Sequence, residues 1–289
     1  MNLHDHLLAA FQLKLLDASP LNTGFGVAGY KALVTEVGQI KPYTIAIKSR
    51  LNAPSSEFTL EARMLEDLRS AGWPMPKPLA SDAHTLLMEW LETDGSPLSK
   101  NGEAELGQQL AQLHSQNTKS FGYDYSTRIG SLDQPNPHAE SWVPFFREQR
   151  LDYMATKAHQ ENKLPLELFK RLQKFQKQLE EYLPEPGHPS LIHGDIWGGN
   201  IITNDNKLSG LIDPALYHAH PEIELAFTQM FSSLGQSFFE GYQTTTKIDP
   251  EFFSERIEIY NLYPTLVHVR LFGSSYLPPI EQCLTRFGF

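Results

Sequence analysis

The segment 191–214, L-I-H-G-D-I-W-G-G-N-I-I-T-N-D-N-K-L-S-G-L-I-D-P, constrains this chain more than any other stretch. Residues 201–202 and 208–212 are short apolar runs that read as strands, and Asn204-Asp205-Asn206 between them is a turn signal. A hairpin folded about that turn carries Asn200 and Asp213 to the same end. Asp195 precedes Asn200 in a glycine-containing loop that can curl back on the pair. Two carboxylates and an amide thereby converge. Hard oxygen donors of this kind suit Mg²⁺, and the other carboxylate can accept a proton. The plainer alternative is a polar turn with a capping aspartate and an ordinary hairpin.

Composition narrows the partners. The net charge is −10, which argues against broad binding to nucleic acid or anionic lipid, because both need a basic face. It leaves a nucleotide possible, since a Mg²⁺ ion and one or two lysines offset phosphate charge locally. Cys283 is the single cysteine, so neither an intrachain disulfide nor a cysteine zinc site is expected. Residues 1–16 mix polar and apolar side chains without a long hydrophobic core. No signal peptide or membrane-spanning run is read, and the cytoplasm is the expected compartment. With 289 residues the chain suits one large domain or two lobes.

The first part reads as strands. Residues 30–36 and 43–48 are β-candidates, the second alternating and β-branched. Ser55-Ser56 offers N-caps for a helix to about Arg69, stopped by Ala71-Gly72 and Pro74. Residues 85–91 form another apolar strand. The turn-rich run 93–97 then marks a boundary, giving an N-terminal lobe of 1–92 and a C-terminal lobe of 93–289. Beyond it helices dominate: 103–114 with Leu106, Leu110 and Leu113 at helical spacing, one opened by Ser141, one near Pro165, and one running from Pro221 toward Tyr242. Strands first and helices later is an α+β pattern, not a βαβ alternation.

The spacing H-G-D-x-x-x-x-N resembles the kinase catalytic loop, with Gly194 in place of arginine and Asp213 where the metal-binding aspartate of D-F-G stands. Ala46-Ile47-Lys48 resembles the strand whose lysine meets the nucleotide phosphates. Glu61 falls on the apolar face marked by Phe58, Leu65 and Leu68, where a carboxylate is costly unless paired. Lys48 is its natural partner; a Glu61 snorkelling at the stripe edge is the alternative. Gly24 and Gly26 begin a G-x-G-x-x-G pattern followed by a strand, which fits a glycine loop over a nucleotide or a plain hairpin turn. Residues 88–91, with Glu89 and Leu91, fit a hinge that meets adenine, or simply a buried strand end. His4, His6, His114, His218 and His220 lack zinc spacing and read as surface or loop residues.

Beyond the general kinase pattern, the chain resembles the fructosamine kinase (ketosamine-3-kinase) family. The resemblance rests on His193-Gly194-Asp195-Ile196-Trp197-Gly198-Gly199-Asn200; on Ile212-Asp213-Pro214-Ala215-Leu216-Tyr217 with Glu222-Ile223-Glu224-Leu225-Ala226; on Phe121-Gly122, Ile129-Gly130, Gln134-Pro135-Asn136, Trp142, Phe145-Phe146 and Arg150-Leu151; and on Arg256, Tyr260, Leu262-Tyr263-Pro264, His268, Phe272-Gly273 and Tyr276. It implies a protein-kinase-like two-lobed fold, with a small antiparallel sheet and a larger helical lobe. It also implies transfer of the ATP γ-phosphoryl to a sugar hydroxyl of a free or protein-bound ketosamine, with ATP and Mg²⁺ as cofactors and deglycation as the outcome. Asp195 is then the base, Asn200 and Asp213 hold the metal, and Lys48 and Glu61 organise the phosphates. Trp197 is either a platform for the sugar or a core tryptophan under the loop. Glu224 stands where the family has aspartate, the loop His218-Ala219-His220-Pro221 is less glycine-containing, and the glycine loop aligns poorly. These departures bear on the acceptor more than on the donor. Another small-molecule kinase of the same fold, acting on an aminoglycoside, choline or a sugar, is the alternative. A catalytically dead binding module is a third, disfavoured because the lysine, base and metal aspartate are all present. A monomer is the default expectation.

Overall fold

The computed structural model describes residues 2–24, 26–51 and 57–289. The caps expected at Ser55-Ser56 lie outside them. In chain order the elements run α1 (Leu3–Phe11), β1 (Leu13–Leu21), β2 (Ala28–Glu36), β3 (Tyr43–Ser49), α2 (Glu57–Ser70), β4 (Pro78–Ser81), β5 (Thr85–Glu89), α3 (Lys100–His114), β6 (Thr127–Ile129) and β7 (Leu132–Gln134). There follow α4 (Trp142–Phe145), α5 (Tyr153–Gln160), α6 (Leu166–Gln176), β8 (Ser190–Ile192), β9 (Ile201–Asn204), β10 (Lys207–Leu211), β11 (Tyr217–Ala219), α7 (Glu222–Met230), α8 (Gln236–Gln243), α9 (Ile257–Phe272) and α10 (Leu277–Arg286). They fall into two compact units: Met1–Leu98 with Asn200–Pro214, and Ser99–Gly199 with Ala215–Phe289.

The first unit is built on an antiparallel sheet of order β1-β2-β3-β5-β4. One face buries Ala32, Val34, Ile45, Ile47 and Leu87 against Leu7 of α1 and Leu13. Period-two alternation then turns Lys31, Ala46, Lys48, Leu86 and Met88 to the other face. β1 is an edge strand, which is where a strand tolerates Pro20. The β9–β10 hairpin belongs to this unit because its backbone is tied there. Leu211 N–H donates to Pro74 O (2.8 Å), Asn206 N–H to Ser96 Oγ (2.9 Å) and Asp205 N–H to Asp94 Oδ2 (3.1 Å). The division thus comes at Leu98, where the sequence suggested residue 92, and residues 200–214 group with the N-terminal unit rather than with the segment 93–289.

The second unit is mainly helical. α3 and α8 pack backbone to backbone: a Cβ on Gly107 would lie 2.1 Å from Phe238 O, and one on Gly241 2.1 Å from Ala104 O. Trp142 stacks with Phe145 and Phe146, and its indole N–H donates to the Tyr260 hydroxyl at 3.1 Å. The helix opened by Ser141 widens into a π-helical stretch at Phe146–Asp152 before α5. The helix expected from Pro221 to Tyr242 is two helices. It breaks after Met230, where Ser232 takes φ +50° and Gly235 precedes α8.

Candidate active site

Within the first unit, the structure brings three of the expected residues together. Lys48 Nζ donates to Glu61 Oε1 at 2.6 Å and to Asp213 Oδ1. Strand alternation delivers Lys48 to the open sheet face, and α2 presents Glu61 from its apolar side. Burial pulls the Lys48 ammonium toward deprotonation, but Asp213 and Glu61 outweigh it and its pKa is raised. Burial raises the Glu61 pKa, and Lys48 only partly restores it. The snorkelling alternative for Glu61 is excluded: its side chain is 16% exposed and paired.

The hairpin sets Asn200 and Asp213 beside each other in the chain's path. The turn residues Asp205 and Asn206 both take positive φ (53° and 58°), as a tight hairpin turn requires. At the open end Ile212 N–H donates to Asn200 O (3.0 Å), and Asp213 itself adopts φ +57°. That conformation costs a non-glycine residue energy and is typically kept where function needs it. Among the described residues no group of three or more His, Cys, Asp or Glu side chains could hold a metal alone. Asn200 and Asp213 offer an amide and a carboxylate. That sparse donor set fits a Mg²⁺ whose remaining ligands come from phosphate and water.

Asp195 belongs to the second unit, on the loop after β8. Gly194, at φ +85°, gives this loop its shape: a Cβ there would sit 2.3 Å from Ala215 O. The loop is clamped at several points. Ala215 N–H donates to His193 O (2.8 Å), Asp195 N–H to His193 Nδ1 (3.2 Å) and Gly194 N–H to Glu224 Oε1 (2.7 Å). Glu224 Oε2 lies 2.9 Å from His114 Nε2, and His114 Nδ1 lies 3.0 Å from the Tyr242 hydroxyl. Burial, then Glu224 and Glu222, push the Tyr242 pKa up, so its hydroxyl stays protonated beside His114.

Of the surface or loop positions expected for the histidines, His220 takes the second, in the connection between β11 and α7, and neither His114 nor His220 lies at the surface. They are 2% and 7% exposed, and His6 is 4% exposed. The sequence signal for His114 was its place beside Leu110 on the apolar stripe of α3. Trp197, on the same loop as Asp195, is 39% exposed with its ring 5.7 Å from Phe231, so it is no core tryptophan. A Cβ on Gly199 would come within 2.5 Å of that indole. In the first unit, Gly24 and Gly26 lie in the connection between β1 and β2, and added Cβ atoms there would meet open space. β5 ends at Glu89, whose N–H donates to Lys77 O (2.9 Å), and Leu91 packs over Gly210.

A profile of the fructosamine kinase family matches residues 30–287. The probable ketoamine kinase YniA of Escherichia coli strain K12 is 32% identical over 235 residues, covering 79% of this chain and 80% of that protein. The chloroplastic protein-ribulosamine 3-kinase of Arabidopsis thaliana is 31% identical over 243 residues, covering 80% and 72%. Among solved structures, a candidate fructosamine-3-kinase from Thermobifida fusca superposes with a TM-score of 0.86 at 26% identity, over 99% of both chains. The ADP-bound aminoglycoside phosphotransferase APH(2'')-Ib shares the kinase-like fold at a TM-score of 0.64 and 14% identity, over 97% of this chain and 95% of that one. The expected α+β architecture, a small antiparallel sheet with a larger helical part, is the one observed, and the chain belongs to the fructosamine kinase family.

Proposed function

We propose that this chain phosphorylates a sugar hydroxyl of ketosamine adducts at the expense of ATP, an alcohol-acceptor phosphotransfer that leads to deglycation. The observation that supports it most directly is Lys48, held by Glu61 and Asp213 on the open face of the sheet. A lysine paired so is aimed and charged for nucleotide phosphates. Two of its three N–H donors engage carboxylates, which leaves one for a phosphate oxygen.

The roles follow from chemistry. Mg²⁺ supplies charge neutralisation on the phosphates when bound. Asn200 and Asp213 offer it oxygen ligands. Asp195 accepts the proton of the attacking sugar hydroxyl, and the clamped Gly194 amide keeps its backbone in place. Trp197 offers an exposed aromatic face to the sugar ring. Glu89 and Leu91, with the Gly24 and Gly26 turn, border the nucleotide. The substrate is a free or protein-bound ketosamine. Among the described residues no helix is long and apolar enough to cross a membrane. A monomer working in the cytoplasm is the reading adopted.

The experiment is ATP consumption by the purified chain against fructosyl-, ribulosyl- and erythrulosyl-amines, with aminoglycosides and choline as controls. Turnover with at least one ketosamine is expected. Turnover confined to the controls, or none at all, overturns the proposal.

A further inference from the structure

The open face of the sheet carries an arrangement that phosphate chemistry does not use. Lys31 on β2 stands opposite Ala46 on β3, and Ala46 opposite Met88 on β5. Lys48, with Gly29 and Leu86 as its cross-strand partners, is the next same-face row. Rows on one face of a strand are about 6.6–6.8 Å apart. A planar group on the Ala46 row is therefore one step from phosphates at Lys48.

The Ala46 row is shaped for such a group. β2 is an interior strand, yet Lys31 is exposed, so among the described residues none covers this face there. Ala46 makes a low floor, flanked by Lys31 and the buried Met88. The Lys31 ammonium lies 4.4 Å from the ring centroid of Trp90, just beyond the end of β5. Trp90 Nε1 is shielded from solvent and has no hydrogen-bond partner among the described residues. A buried donor without an acceptor is destabilising. The indole is thus held by Lys31 in a place its own N–H does not favour, which points to a ligand.

We propose that Lys31 and Trp90 form the element that recognises the purine base of the nucleotide. The base lies on Ala46. The Lys31 ammonium, already carried by one π-face, is shared with the face of the base, and Trp90 shifts so that its N–H gains an acceptor. This rests on the nucleotide reading of the preceding section. It assigns base recognition to a charged side chain where a merely apolar cover would serve as a lid.

Calorimetric titration of the full chain with ADP and, separately, with inorganic tripolyphosphate tests it. Lys31→Met keeps the apolar stem and removes the charge. Weakening of ADP binding by about three- to thirtyfold is expected, with tripolyphosphate binding unchanged and Lys31→Arg near wild type. Nucleotide should also change the tryptophan emission of the wild type, and Trp90→Phe should remove that change. Melting temperatures establish that each variant is folded. Equal ADP affinity in Lys31→Met, or equal weakening for ADP and tripolyphosphate, overturns the base-recognition role and leaves the kinase reading standing. Absence of any nucleotide binding by the wild type overturns both.

Discussion

Glu224 Oε1 accepts the Gly194 amide proton at 2.7 Å while its other oxygen faces His114 at 2.9 Å. Helix α7 thus holds the backbone immediately before Asp195. Glu224 is the α7 side chain that reaches this loop. Replacing it by alanine takes the carboxylate partner from a part-buried amide and from one nitrogen of a buried imidazole, which costs about 1–3 kcal/mol for each donor left unmet. Glu224→Ala should lower both the melting temperature and kcat. A variant with wild-type kcat and Tm would show that the loop is fixed by other means.

Asp195→Asn removes the proposed proton acceptor but keeps size and shape. Turnover should fall about 10²–10⁴-fold with the fold intact by circular dichroism. Near-normal rates with any ketosamine would refute the assignment.

Asp213→Ala should abolish the Mg²⁺-dependent part of ATP affinity and free Lys48 from one of its two carboxylates. Titrations with and without magnesium separate the effects. If the two isotherms still differ as in the wild type, Asp213 is not a metal ligand.

His220 gives a pH prediction. Burial, with Arg256 and His114 adding repulsion, pushes its pKa down from 6.5 to about 3. The unfolded chain takes up a proton below 6.5, and the folded chain does not until about 3. The neutral ring's contribution is therefore intact above 6.5 and is lost as pH falls through that window, at up to about 1.4 kcal/mol per pH unit. Denaturant unfolding of His220→Gln should show a shallower loss of stability between pH 6.5 and 4 than the wild type. Parallel curves would contradict it.

Gly241→Ala drives a methyl into Ala104 O, where the Cβ would sit 2.1 Å away. α3 and α8 must then separate. Overpacking of this kind costs about 1–3 kcal/mol, read as a drop in Tm. An unchanged Tm would mean that the helices reposition freely.

Much of this was legible because local signals agreed. Alternation announced β3, and Asn204-Asp205-Asn206 announced the hairpin between its apolar arms. The cost of burying a carboxylate on an apolar helix face pointed Glu61 at Lys48. What escaped depended on tertiary context. β1 carries Leu16 and Leu21 exposed and a proline, so its sequence lacks the alternation of a half-buried strand. α1 buries only His6 and Leu7. The break between α7 and α8 turns on Ser232, a residue whose positive φ no local rule foretells. The burial of His114 and His220 escaped because it depends on distant partners such as Glu224 and Tyr242, or on a pocket such as that of Trp142 and Tyr260.

The pairing of β9 with β10 slips between Leu208 and Gly210, so Ser209 is an extra residue on one arm. A bulge of this kind takes up the surplus residue, so the pairs Gly210–Ile202 and Leu211–Ile201 continue the register that Lys207–Asn204 and Leu208–Thr203 begin. Deleting Ser209 would straighten this arm and leave those pairs in place. One arm of the hairpin thus carries extra length without displacing the register at the end where Asn200 and Asp213 emerge.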